Sequence, residues 1–417
     1  MSASKSTNAP AARGRNFFFA PGPTNIPDRV LHAMSRATVD FLGDEFLALQ
    51  ARTTEGVRRV LKTKGTVLFY AANGHGAWEA SLANAFEPGE KVLVLESGYF
   101  SQGWADMARD LGLVVEVIPA DWRTGVPLDA VEKRLAADTK GEIKAVLVTH
   151  NETATGLTYP IPGVRKALDK TNHRGLLLID TISSLASIDV RMDEWGVDIV
   201  VGGSQKGLMA VTGMSFTGLS DKAIAKSRTI KPRKSYWNWE AMLATKPQRF
   251  PGTTPVHMFF AIDEGVRMLE EEGLDAVYRR HTRFARATRA AIAAWGDNAK
   301  SGTRISAKGF EGKVSSLELL CADQSRASDS VSAIILPDGI DGNAFRKHAF
   351  NAYNIDLGGG LGPLAGRVFR IGHMGDLNEP MLLGALATVE LAFSTFGVPH
   401  KANGVSAAIA SLKDQSA

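Results

Sequence analysis

At 417 residues the chain is longer than one hydrophobic core usually organises, so two or more domains are expected. Hydrophobic residues at 44% and charged residues at 22%, with no apolar run near the roughly 18–20 residues that cross a bilayer, exclude disordered, fibrous and membrane-spanning classes. Lys and Arg number 48 against 44 Asp and Glu, a net charge of +4 without clustering, which excludes a nucleic-acid footprint; the single cysteine, Cys321, excludes internal disulfides and Cys-rich metal sites.

Residues 1–16 are polar, lack the apolar h-region of a secretory signal, and read as a disordered leader on a soluble, cytoplasmic protein. Short apolar runs follow at 67–71, 92–95, 114–118, 145–149, 176–179 and 199–201. Between them, residues 78–86, 103–111, 128–136 and 162–170 carry helical spacing. This alternation predicts an α/β unit with a mostly parallel sheet flanked by helices. In such sheets ligands bind beyond the carboxyl ends of the strands.

Past residue 255 the period becomes helical. Phe259, Ile262, Val266 and Leu269 share one face, and Leu274, Val277, His281, Phe284, Thr288, Ala291 and Trp295 continue on a second helix long enough to join two domains. Strands are expected at 330–336 and 367–371 and helices at 341–352 and 380–395, a smaller α+β unit. The expected division is a large domain over 17–285, including an N-terminal arm, and a small domain over 286–417.

Four strand ends carry candidate chemistry. Asn73-Gly74-His75-Gly76 turns from a strand into a helix, where backbone N–H groups either bind an anion or simply close a βα turn. Asp180 ends the run at 176–179; a carboxylate there either caps the next segment or holds a protonated heterocyclic nitrogen. Lys206, in Gly203-Ser204-Gln205-Lys206-Gly207, is either an exposed loop lysine or a desolvated amine able to form a Schiff base. Thr149 to Gly156 is a polar cluster that either lines a pocket or satisfies its own turn.

These features occur in order along one sheet. With Ala20-Pro21-Gly22-Pro23-Thr24-Asn25-Ile26-Pro27, His150-Asn151-Glu152-Thr153-Ala154-Thr155-Gly156, Arg191-Met192-Asp193-Glu194-Trp195-Gly196, Gly203-Ser204-Gln205-Lys206 and Val368-Phe369-Arg370-Ile371-Gly372-His373, the chain resembles the class V aminotransferase family of fold-type I enzymes that use pyridoxal 5′-phosphate. The resemblance implies that Lys206 bonds the cofactor and moves the substrate α-proton, and that Asp180 pairs with the ring nitrogen. It implies phosphate contacts from Gly74, His75 and Gln205, a ring stacked under Phe100, and further ring contacts from Thr153 and Ser184. Arg370, with Thr24 and Asn25, would take the substrate. It also implies a homodimer in which Thr253 of a second copy completes the phosphate site, Phe250 standing where family members carry Tyr. The activity implied is transfer of an amino group from L-serine to glyoxylate, with aspartate or alanine as alternative donors.

One stretch departs from the family. Asp40-Phe41-Leu42-Gly43-Asp44-Glu45 stands where members carry Asp-His-Arg near the mouth of the substrate site, which either alters donor choice or lies too far from the substrate to touch it. A related cysteine desulfurase would need a mobile nucleophilic cysteine, and Cys321, in Leu319-Leu320-Cys321, reads as buried and apolar. A non-catalytic relative would lack Lys206 or Asp180. His75, His150, His257 and His373 match no ligand spacing, so no metal is expected.

Overall fold

The computed structural model describes residues 14, 16–231, 235–245 and 248–414, so the expected leader falls almost wholly outside the described residues. The first strand, β1, is Phe17–Phe19. Then come β2 (Thr66–Tyr70), β3 (Lys91–Leu95), β4 (Val114–Ile118), β5 (Ile143–Thr149), β6 (Leu176–Asp180), β7 (Ile199–Gly203) and β8 (Ser215–Leu219). These last seven form one sheet in the order β2-β8-β7-β6-β5-β3-β4. All its pairings are parallel except the two made by β8.

The apolar runs became strands because helices cover both faces. Leu93, Val146, Val148, Leu177 and Ile179 pack against Val57, Val60 and Phe259 on one side. Val92, Val94, Leu147, Leu178 and Val201 pack against Trp78 and Trp104 on the other. Each such side chain contributes about 1.5–3 kcal/mol on burial. The antiparallel β8 had no apolar signal, since two of its five residues, Ser215 and Thr217, are polar and still buried. Thr217 is satisfied there by Tyr70 Oη at 2.7 Å, which also accepts from Trp239 Nε1 at 2.7 Å.

A second sheet contains β9 (Glu318–Leu319), β10 (Val331–Ile335), β11 (Ile355–Gly359) and β12 (Val368–Gly372), with β1 at its edge beside β11. The N-terminal arm, expected with the large domain, thus enters the second sheet at Phe17–Phe19. This segment pairs in parallel with Ile355–Leu357 and buries Phe19 in the second core. A three-residue strand gives no period from which its sheet can be read. The long helix Leu274–Trp295 contributes to both cores: Val277 packs in the first, and Phe284, Ala291 and Trp295 in the second. Among the described residues no helix is long and apolar enough to cross a membrane.

Candidate active site

Because β2, β3, β5, β6 and β7 are mutually parallel, the segments that follow them emerge along one edge of the sheet. There they enclose a cavity of about 220 Å³. The glycine turn after β2 is the first turn of helix Gly74–Ala85, which starts four residues before the expected 78 because Asn73 caps it. Asn73 Oδ1 accepts from His75 N–H at 3.1 Å, so the His75 amide expected to bind phosphate already has an acceptor. Gly74 lines the cavity where a Cβ would come within 2.8 Å of Ile182 Cδ1.

Asp180, the last residue of β6, is 4% exposed and accepts from Ile182 N–H at 2.7 Å. Burial pushes its carboxyl up to about 6; the Ile182 hydrogen bond, the nearby Trp78 indole and the charge of Lys206 oppose the rise. The indole acts there through proximity, since Trp78 Nε1 meets no acceptor in hydrogen-bond geometry. Lys206 sits in the turn after β7. Burial draws its amine down to about 7, Arg370 adds repulsion, and Asp180 pulls the other way. Its Nζ donates to Pro21 O. Gly22, at φ +112°, makes room for this contact: a Cβ there would stand 2.1 Å from Lys206 Nζ. Thr24 Oγ1 donates to Lys206 O at 3.1 Å and Thr24 N–H to Gln205 O at 3.0 Å, fixing the lysine turn to the N-terminal segment.

Of the residues proposed from sequence, Gly74, His75, Phe100, Thr153, Asp180, Gln205 and Lys206 line this one cavity. Burial keeps the His75 ring below its ordinary pKa, so it stands neutral. Ser184 does not line the cavity; its Oγ meets His150 Nδ1 at 2.9 Å, and burial holds that histidine neutral, down to about 4. The preceding residue, Ser183, faces inward instead and accepts from Thr153 Oγ1 at 2.7 Å and Asn151 Nδ2 at 2.8 Å. The turn after Asp180 selects which of two adjacent serines points in, and its direction has no sequence signature.

Arg370, on β12, is buried behind the wall. Its Nη1 donates to Thr153 O at 2.9 Å and its Nε to Gly359 O at 2.8 Å, and burial brings the guanidinium down to about 10. Asn25 turns away and donates to Phe18 O at 2.9 Å. Thr253 is exposed and absent from the cavity wall, and Leu42 is 72% exposed. Phe250 packs edge-on to Phe259 in the core. Gly22 and Asn151 line the cavity from motifs already quoted and Trp78 from the helix expected at 78–86, while Ile182, Ser183 and Thr212 carried no signal. Among the described residues no cluster of His, Cys, Asp or Glu could hold a metal.

The cavity's chemistry suits pyridoxal 5′-phosphate. A buried carboxylate with one protein donor calls for a cationic nitrogen, and a desolvated amine suits an aldehyde. Gln205 Oε1 is buried without a partner, and Gly74 keeps backbone accessible at a helix N-terminus. A mostly parallel sheet with this constellation on its carboxyl edge defines a fold-type I, pyridoxal-phosphate-dependent transferase.

Comparison places it further. The profile of the family Aminotransferase class-V matches residues 16–304, and the chain belongs to that family. It is 42% identical over 409 residues to serine–glyoxylate aminotransferase of Methylorubrum extorquens, covering 96% of this chain and 97% of the relative. It is 40% identical to L-aspartate–glyoxylate aminotransferase of Paracoccus denitrificans, covering 94% and 95% respectively. The crystal structure of pyridoxamine–pyruvate aminotransferase from Mesorhizobium loti superposes with a TM-score of 0.86 at 26% identity, covering 98% of this chain and 99% of that one. The chain is an aminotransferase dependent on pyridoxal phosphate.

Proposed function

We propose that the enzyme transfers the amino group of L-serine to glyoxylate, giving hydroxypyruvate and glycine. The observation that carries the chemistry is the pairing, in one cavity, of a desolvated Lys206 amine with a buried Asp180 carboxylate. The choice of serine draws support from the whole-chain similarity to a serine–glyoxylate enzyme.

Lys206, Asp180, Gln205, Gly74 and Thr153 would hold pyridoxal phosphate, which when bound supplies a sink for the negative charge formed at the substrate Cα. Lys206 Nζ, partly neutral near pH 7, takes the α-proton and returns it on the other side of the transfer. Asp180, the buried carboxylate of the cavity, would pair with the ring nitrogen and favour its protonated form. Arg370, buried behind the Thr153 wall, would take the substrate carboxylate with the guanidinium N–H groups that Thr153 O and Gly359 O leave free. Both half-reactions use these groups, so ping-pong kinetics are expected.

The same reading includes a cytoplasmic homodimer. Thr253 is exposed and outside this chain's own cavity, which suits a residue offered to a second copy. The single buried cysteine suits a reducing compartment. Absorbance of the purified protein tests the cofactor: a visible band that borohydride fixes onto Lys206, absent in Lys206→Ala, is expected, and no uptake refutes the reading. A donor panel with glyoxylate tests the substrate; serine no faster than aspartate or alanine refutes that assignment. Sedimentation tests the dimer.

A further inference from the structure

We infer that Glu152 is the positioning residue that sets the aromatic wall of the cavity against its arginine side. The inference rests on the reading of the site given above. Glu152 follows β5 in the short strand Asn151–Glu152, is fully buried, and does not line the cavity. Its carboxylate nonetheless joins both walls. Oε2 accepts from Phe100 N–H at 3.0 Å and Ser101 N–H at 3.1 Å, which are first-turn donors of helix Tyr99–Asp110. Oε1 accepts from Ala154 N–H at 3.1 Å.

A carboxylate at a helix N-terminus satisfies donors that the helix leaves unpaired and meets its positive end. Here it does so across 52 residues of sequence, in place of a local cap, since the N-cap position is Gly98. That glycine is required by the contact: a Cβ on Gly98 would lie 2.5 Å from Glu152 Cγ and 2.7 Å from Cδ. Thr155 Oγ1, donating to Ser97 O at 3.2 Å, ties the same two segments once more.

The consequence runs to both sides of the cavity. Phe100, held by its own N–H, presents its ring to the cavity and meets Trp78 edge-on at 6.4 Å. Thr153, next to Glu152 in the chain, lines the cavity and lends its carbonyl to Arg370. Two charged groups act on the carboxylate: Arg370 attracts it and Asp180 repels it. Glutamine has the same shape, but its amide nitrogen cannot accept from N–H groups, so at least one buried donor would be orphaned.

The test is a double-mutant cycle read on cofactor binding. Apoprotein is titrated with pyridoxal phosphate and followed by the visible band and by tryptophan fluorescence. Glu152→Gln and Phe100→Ala are each expected to weaken binding about tenfold, which is about 1.4 kcal/mol. The double variant should be little weaker than either alone, because one acts through the other. A purely structural role would lower the apoprotein melting temperature without this coupling. Losses that multiply to about a hundredfold, or Glu152→Gln loading as tightly as wild type, overturn the inference. Wild-type protein that takes up no cofactor overturns the functional reading and this inference with it. Should Glu152→Gln not fold, Glu152→Asp, which keeps the charge and shortens its reach, enters the same cycle with the same outcomes.

Discussion

Asp180→Asn should make the cofactor-free protein more stable while disabling the enzyme. Asp180 is buried and its folded-state pKa is raised to about 6 from an ordinary 3.8. Between those values the unfolded chain has lost the proton that the folded chain still holds, so stability falls as pH rises through the window. Above about pH 6 the cost is complete, about 3 kcal/mol at 1.36 kcal/mol per pH unit. Asparagine is neutral at every pH and keeps an oxygen for the Ile182 N–H. Little ion pairing is lost near pH 7.5, because Lys206, at about 7, is already mostly neutral there. With roughly 2.1 cal/mol/K of unfolding entropy per residue over 417 residues, 3 kcal/mol corresponds to about 3 °C in Tm. Calorimetry of apoprotein should show that gain at pH 7.5 and about half of it or less at pH 5. Transamination by the variant should fall by about a hundredfold or more, as the ring nitrogen loses its anionic partner. A Tm gain equal at both pH values, or a loss at pH 7.5, would refute the claim that burial of this charge dominates.

Arg370→Lys should raise KM for amino acids and oxo acids about 10–100-fold, with a smaller fall in kcat, since an ammonium cannot reproduce the fork or hold both the Thr153 and Gly359 carbonyls; steady-state kinetics check the split. Gly22→Ala should fold, as judged by circular dichroism, yet fail to develop the visible cofactor band, because the new Cβ would occupy the space of Lys206 Nζ. Cys321 is buried, and its thiol is pushed up to about 12 chiefly by desolvation. It should therefore resist thiol reagents in the native protein, and Cys321→Ser should leave turnover within about twofold, as expected of a thiol with structural surroundings only.

Long-range order was legible where burial imposes a pattern. Strands sandwiched between helices must be apolar along their length, so six runs announced six strands of the large sheet to within a few residues. The helix Leu274–Trp295 was legible for the complementary reason, its buried side chains recurring every three or four residues. The missed strands are those whose pattern is set by something else. Ser215–Leu219 tolerates buried Ser and Thr because Tyr70 satisfies one hydroxyl, and Phe17–Phe19 belongs to a sheet built mostly from residues 318–372.

The site was legible as an ordered set of strand ends, because a parallel sheet brings those ends to one edge whatever the intervening helices do. Lys206 and Asp180 could be named on that basis, and the resemblance supplied Phe100, Thr153 and Gln205. What escaped depends on which way a particular atom points. Ser183 and Ser184 differ only by the course of one turn, and the structure sends the first to Thr153 and the second to His150. Glu152 stood in a quoted motif with no role, because its work is done by three backbone N–H groups that carry no side-chain identity. Gly98 is the legible trace of that work. The close approach of a carboxylate to a helix start excludes a Cβ there, so a glycine at an N-cap with no capping side chain marks a partner arriving from elsewhere in the fold.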